Sequence, residues 1–90
     1  MTTIRLDGKT VKARKTLFAE IGRQVKLPAH FGNNLDALYD FLATDLTGPA
    51  EIYWDNYSLY RANELKAMAE VRSLLEDVAA ERPEIKLIFN

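Results

Sequence analysis

Apolar side chains along this chain recur with two different periods, and the switches between them mark out its elements. Thr3-Ile4-Arg5-Leu6 alternates polar and apolar residues as a half-buried strand does, and Asp7-Gly8 follows as a turn signal. From Lys15 to Lys26 the period lengthens: Leu17, Phe18, Ile21 and Val25 fall at helical spacing, with Arg14, Lys15, Arg23 and Lys26 mostly on the opposite side. Leu27-Pro28 should end this first helix, because the residue before proline is pushed out of the α region. Asn34 is placed to cap a second helix running to about Asp45, in which Leu35, Leu38, Leu42 and Leu46 form a core stripe, closed by Thr47-Gly48-Pro49.

The strand period returns at Glu51-Ile52-Tyr53-Trp54. Asp55-Asn56 then reads as the cap of a short helix through Tyr60 or Arg61. Asn63 can cap a long fourth helix, with Leu65, Met68, Val71, Leu75 and Val78 as its apolar stripe, until Glu81-Arg82-Pro83 stops it. Ile85-Lys86-Leu87-Ile88-Phe89 is nearly all apolar and predicts a buried strand. Strands separated by helix pairs need crossover connections. The expected fold is therefore α/β, β-α-α-β-α-α-β, with a three-stranded parallel sheet, four helices and right-handed crossovers. At 90 residues, without repeats, linkers or low-complexity segments, residues 1–90 are expected to form a single domain.

Composition narrows the chemistry. With 48% hydrophobic and 28% charged residues, four Gly and three Pro, the chain can bury a core and is neither disordered nor collagen-like. The absence of cysteine excludes a disulfide scaffold, thiolate zinc sites and a thiol nucleophile. No window approaches a membrane span, and the N-terminal residues lack a signal-peptide stretch, so the expectation is a cytoplasmic protein. The net charge of -1 conceals a partition. Residues 1–26 hold seven Lys/Arg against two acids, whereas residues 27–60 hold five acids and no Lys or Arg. Such asymmetry suggests a charged partner.

Within the acidic segment, Asp36 and Asp40 form a like-charge i,i+4 pair on one face of the second helix, with Tyr39 and Ala43 completing a face expected to point to solvent. Asp36 lies in the first turn, at the positive end of the helix dipole; Asp40 lies beyond it. The spacing is reminiscent of consecutive phosphates and fits a surface that binds a cationic cleft, although a merely solvated face gives the same pattern. His30 invites a small hydrolase or metal reading with Asp36 and Asp40, but neither a Ser in a strained turn nor a second His accompanies it. Arg14, Lys15, Arg23 and Lys26 suggest a nucleic-acid-binding module, opposed by an acidic middle segment that would repel phosphate. Trp54 among Tyr53, Tyr57 and Tyr60 suits core and rim packing better than base stacking. No catalytic residue, metal ligand set or cofactor motif is assigned.

The run Leu27-Pro28-Ala29-His30-Phe31-Gly32-Asn33-Asn34-Leu35-Asp36-Ala37-Leu38-Tyr39-Asp40 resembles the signature of the barstar family, intracellular inhibitors of barnase, a secreted bacterial ribonuclease. The likeness extends over the whole chain, including Gly8, the context of Trp54 and the closing strand. It implies a three-stranded parallel sheet with four helices. It also implies an immunity protein, without catalysis, whose second helix and preceding loop plug the cationic active site of a barnase-like guanyl-type ribonuclease. On this resemblance Asp40 takes the central, phosphate-mimicking carboxylate, Asp36 its partner and Tyr39 an aromatic contact. His30, Gly32, Asn34, Ala43 and Thr44 belong to the same contact surface, and Asp77 on the fourth helix adds an acidic contact. His30 stands where the archetype has tyrosine, Ala43 where it has a hydroxyl, Asp45 where it has tryptophan and Asp77 where it has glutamate. The implied partner is a secreted ribonuclease rather than nucleic acid or membrane, and the free protein is expected to be monomeric.

Overall fold

A computed structural model describes all 90 residues. Strand β1 (Thr2–Asp7) is followed by helix α1 (Arg14–Gln24), helix α2 (Leu35–Asp40) running directly into a π-helical turn (Phe41–Asp45), strand β2 (Ala50–Asp55), a 3-10 turn (Tyr57–Leu59), helix α3 (Ala62–Glu81) and strand β3 (Ile85–Phe89). The sheet is three-stranded and parallel in the order β1-β2-β3. This is the expected α/β architecture with one amendment: the short helix after Trp54 is a single 3-10 turn, leaving three α-helices.

Register explains the core. Ile4, Ile52 and Leu87 lie side by side, as do Leu6, Trp54 and Phe89, so one face of the sheet is continuous and apolar. Against it pack Leu17, Phe18 and Ile21 of α1, Leu38, Phe41 and Leu42 of the α2 segment, and Met68, Val71, Leu75 and Val78 of α3, in one cluster of 19 buried residues. The opposite face carries Arg5, Tyr53 and Ile88 in register. Arg5 pairs with Asp55 at 2.7 Å and lies 4.2 Å over the Tyr53 ring. Parallel sheets usually bury both faces, and the expectation of a buried last strand assumed as much. Here β3 is an edge strand with one covered face: Ile85 is buried, Lys86 exposed, and Leu87, Ile88 and Phe89 half-buried.

Other boundaries move for local reasons. Val25 is already extended (φ -133°, ψ 154°), so α1 ends at Gln24, before the proline acts. The Gln24 side chain then turns onto the outer edge of β1, its amide accepting from Arg5 N at 2.7 Å and donating to Arg5 O at 2.6 Å, in the place a fourth strand would occupy. Asn56 adopts a left-handed conformation (φ 58°) and donates its side-chain N–H to Asp7 at 2.9 Å instead of capping the 3-10 turn. Gly8 passes so close to that loop that a Cβ would lie 2.3 Å from the Asn56 carbonyl oxygen. Arg61, not Asn63, is the N-cap of α3, its N–H donating to Glu64 at 2.9 Å. Leu65, expected in the apolar stripe, is 38% exposed in the first turn of α3.

Candidate functional site

The loop before α2 is fixed at two points. Phe31 N–H donates to Pro28 O at 3.0 Å, and the Phe31 ring sets its edge against Phe18 of α1, 5.8 Å between centroids. At the other end, Asn34 caps α2: its extended backbone (φ -135°, ψ 169°) lets its side-chain oxygen accept from Ala37 N at 2.8 Å, while its amide donates weakly to Gly32 O at 3.4 Å. His30 and Gly32 are exposed on this loop.

Asp36 and Asp40 both stand in solvent, Asp36 in the first turn of α2 and Asp40 as its last residue. The face is not wholly solvated, however. Tyr39 and Ala43 are half-buried, and Tyr39 packs against the core. Its hydroxyl donates to Glu81 of α3. That bond, then desolvation and the nearby carboxylates Glu81, Asp77 and Asp40, hold the Tyr39 phenol above its ordinary value. After Asp40 the helix widens: Leu46 N–H reaches back to Phe41 O at 2.9 Å, and the Thr44 hydroxyl donates to Asp40 O at 2.6 Å. The expected uniform helix to Asp45 is thus α to Asp40 and π beyond it.

Between α2 and α3 runs a groove of about 340 Å³ lined by Leu35, Asp36, Tyr39, Glu70, Ser73, Leu74 and Asp77. It brings Asp36 and Asp77, 41 positions apart by their numbers, to one surface feature. Glu70 and Glu81 join this acidic surface without having been singled out from the sequence. Their signal was present, since Glu70, Leu74, Asp77 and Glu81 recur at steps of three and four along α3. The only cation ion-paired to these groove acids is Arg14, 3.3 Å from Glu70. Of the other α1 cations, Arg23 is taken up by Glu20, while Lys15, like Lys26 just beyond the helix, is exposed without an ion-pair partner. His30, Asp36 and Asp40 do not converge into a metal-holding group, and Trp54 is 1% exposed in the core, stacked on Phe89 and donating to Tyr60 Oη at 3.1 Å.

With this geometry in place, comparison with known families is decisive: residues 1–89 match the family model for Barstar (barnase inhibitor). The chain belongs to the barstar family. No curated protein matches it significantly. The barstar match takes in every candidate residue from His30 to Asp77, together with all three strands. No helix is long and apolar enough to cross a membrane.

Proposed function

We propose that residues 1–90 act as one domain, a cytoplasmic, non-catalytic inhibitor that plugs the cationic active site of a barnase-like guanyl-type ribonuclease with α2 and the loop before it. The observation that carries this reading is the gathering of Asp36 and Asp77 on one groove, with Asp40 and Glu81 near its lining residue Tyr39, in a chain of the barstar family. A cleft built for RNA phosphates presents fixed cations, and exposed carboxylates on a helix offer them paired negative charge without a scissile bond. Asp40 takes the central contact and Asp36 and Asp77 flank it. Tyr39 contributes an aromatic wall, and His30, Gly32 and Asn34 meet the rim from the loop, with Ala43 and Thr44 at the far end. The half-burial of Tyr39 and Ala43 limits them to partial contact.

The test is inhibition of a purified barnase-type ribonuclease, with Asp40→Ala as control. Stoichiometric inhibition by the wild type and its loss in the variant is the expected result. Equal inhibition by both would remove the acidic helix as the working surface. Absence of any complex with guanyl-type ribonucleases would remove the inhibitor reading itself.

A further inference from the structure

Neither α2 nor the π turn that continues it to Asp45 has a basic residue in its last turn, and Asp45 places a further negative charge at that end. The terminal carbonyls of a helix carry partial negative charge and attract cations. The cation comes from elsewhere in the chain. Arg82, the residue after α3, sends Nη1 to the carbonyl oxygens of Leu42 and Leu46 at 2.8 and 2.9 Å, across 40 and 36 residues of sequence. Its other edge, Nε and Nη2, donates to Glu84 Oε2 at 3.1 and 3.0 Å. The side chain is only 18% exposed. Its backbone is held too, with N–H donating to Val78 O at 2.8 Å and its carbonyl accepting from Ile85 N at 2.9 Å. Arg82 is therefore anchored at the joint between α3 and β3. Its neighbour Glu81 accepts the Tyr39 hydroxyl.

We infer that Arg82 is a positioning residue for the acidic face: with Glu81 it grips the chain on both sides of Asp40, at Tyr39 and at the Leu42 and Leu46 carbonyls, and fixes the pose in which α2 presents its carboxylates. A planar fork suits this task, since one guanidinium spans two carbonyls and a carboxylate at once. Gly48 leaves the space for it, because a Cβ there would lie 2.9 Å from Glu84 Cγ and 3.0 Å from Arg82 Nη2. The consequence for binding rests on the inhibitor reading, whereas the grip itself does not.

Two measurements separate them. In the free protein, Arg82→Met keeps most of the stem and removes every donor. Amide exchange across residues 41–46 should then accelerate about tenfold or more, as expected for losing hydrogen bonds from a charged group, with the amides of Val71, Leu75 and Val78 unchanged. Arg82→Lys should restore part of the protection, and Gly48→Ala, which removes no donor, should reproduce the local loosening. In complex with a barnase-type ribonuclease, Arg82→Met should dissociate about tenfold faster at an unchanged association rate, with partial rescue by lysine. Exchange that stays at the wild-type rate, or rises equally throughout the chain, overturns the grip. Local loosening with unchanged dissociation, where Asp40→Ala accelerates dissociation, overturns its role in presentation. If Arg82→Met does not fold, Arg82→Lys and Gly48→Ala decide by the same readings. If the wild type binds no such nuclease, the inhibitor reading fails, and the exchange data still decide the grip.

Discussion

Asp40 is the last α-helical residue before the π turn, four residues after Asp36, and both side chains stand in solvent. Asp40→Ala removes an i,i+4 repulsion and replaces a poor helix former with the best one, so the free protein should melt at the same temperature or be stabilised by up to about 1 kcal/mol. In a nuclease complex the same change leaves cations desolvated and unpaired, a loss of about 2–5 kcal/mol or more that should appear as faster dissociation. The barstar–barnase pair is itself a complex with losses of this size, and the opposite signs in free protein and complex are what distinguish a binding carboxylate from a structural one. Thermal melting and inhibition measured on one preparation check it; a variant that unfolds would make Asp40 structural. Tyr39 offers a second test. Because donation to Glu81 raises the Tyr39 phenol above its ordinary 10.0 in the folded chain, the stabilisation it brings is complete below pH 10.0 and is lost as pH rises through the higher folded value. Glu81→Gln should lower that titration toward 10.0, read as the Tyr39 resonance in a tyrosine-ring NMR titration and assigned with Tyr39→Phe. An unmoved midpoint would mean that the bond does not persist in solution.

At the scale of elements, legibility follows locality. The stripe of Leu35, Leu38, Leu42 and Leu46 was readable from spacing; Leu38, Leu42 and Leu46 are buried, whereas Leu35 is half-buried and lines the groove toward α3. The widening at Phe41 was not, because it depends on groups far along the chain: the sheet that takes Phe41, Leu42 and Leu46 into one core, and Arg82 on the carbonyls. Leu65 shares the spacing of the stripe but sits in the first turn of α3, 38% exposed, and so lies outside the core. Asp77 entered through family likeness alone, and Glu81 was visible as periodicity without any sign of what it would face. The 3-10 turn shows how a short element serves the core. It delivers Tyr60, 6% exposed, to a site where its hydroxyl donates to Val11 O and accepts from Trp54 Nε1. Tyr60→Phe removes the acceptor and leaves a buried indole N–H unpaired, which should destabilise the protein by about 1–3 kcal/mol. Tyr57→Phe, whose hydroxyl makes neither bond, should cost less. Urea titration of the two variants gives the comparison, and equal losses would show that the Tyr60 network contributes nothing specific.

Across the whole molecule, a net charge of -1 says little, because the charges are sorted. Asp36, Glu70 and Asp77 line the groove between α2 and α3, Asp40 and Glu81 lie near its lining residue Tyr39, and the one ion pair to these acids is Arg14 on Glu70. A surface of this kind projects a negative field well beyond contact, and a cleft evolved for polyanions projects the opposite one, so encounter should be steered. Association with a barnase-type ribonuclease should therefore exceed the roughly 10⁵–10⁶ per molar per second of neutral pairs at low salt. It should fall as the Debye length shrinks from about 30 Å at 0.01 M to about 3 Å at 1 M. The barstar–barnase pair is itself electrostatically steered, and the dependence on salt and on position is the sharper test. Asp77→Asn, at the rim, should lower the association rate and flatten its salt dependence with little change in dissociation, because a rim charge acts mostly before docking. Asp40→Ala should do most of its damage after docking, through dissociation. Stopped-flow mixing across a salt series resolves the two. Rates indifferent to ionic strength would show that the groove's charge does not guide the encounter, and an Asp77→Asn effect confined to dissociation would move that carboxylate from the rim to the buried centre of the contact.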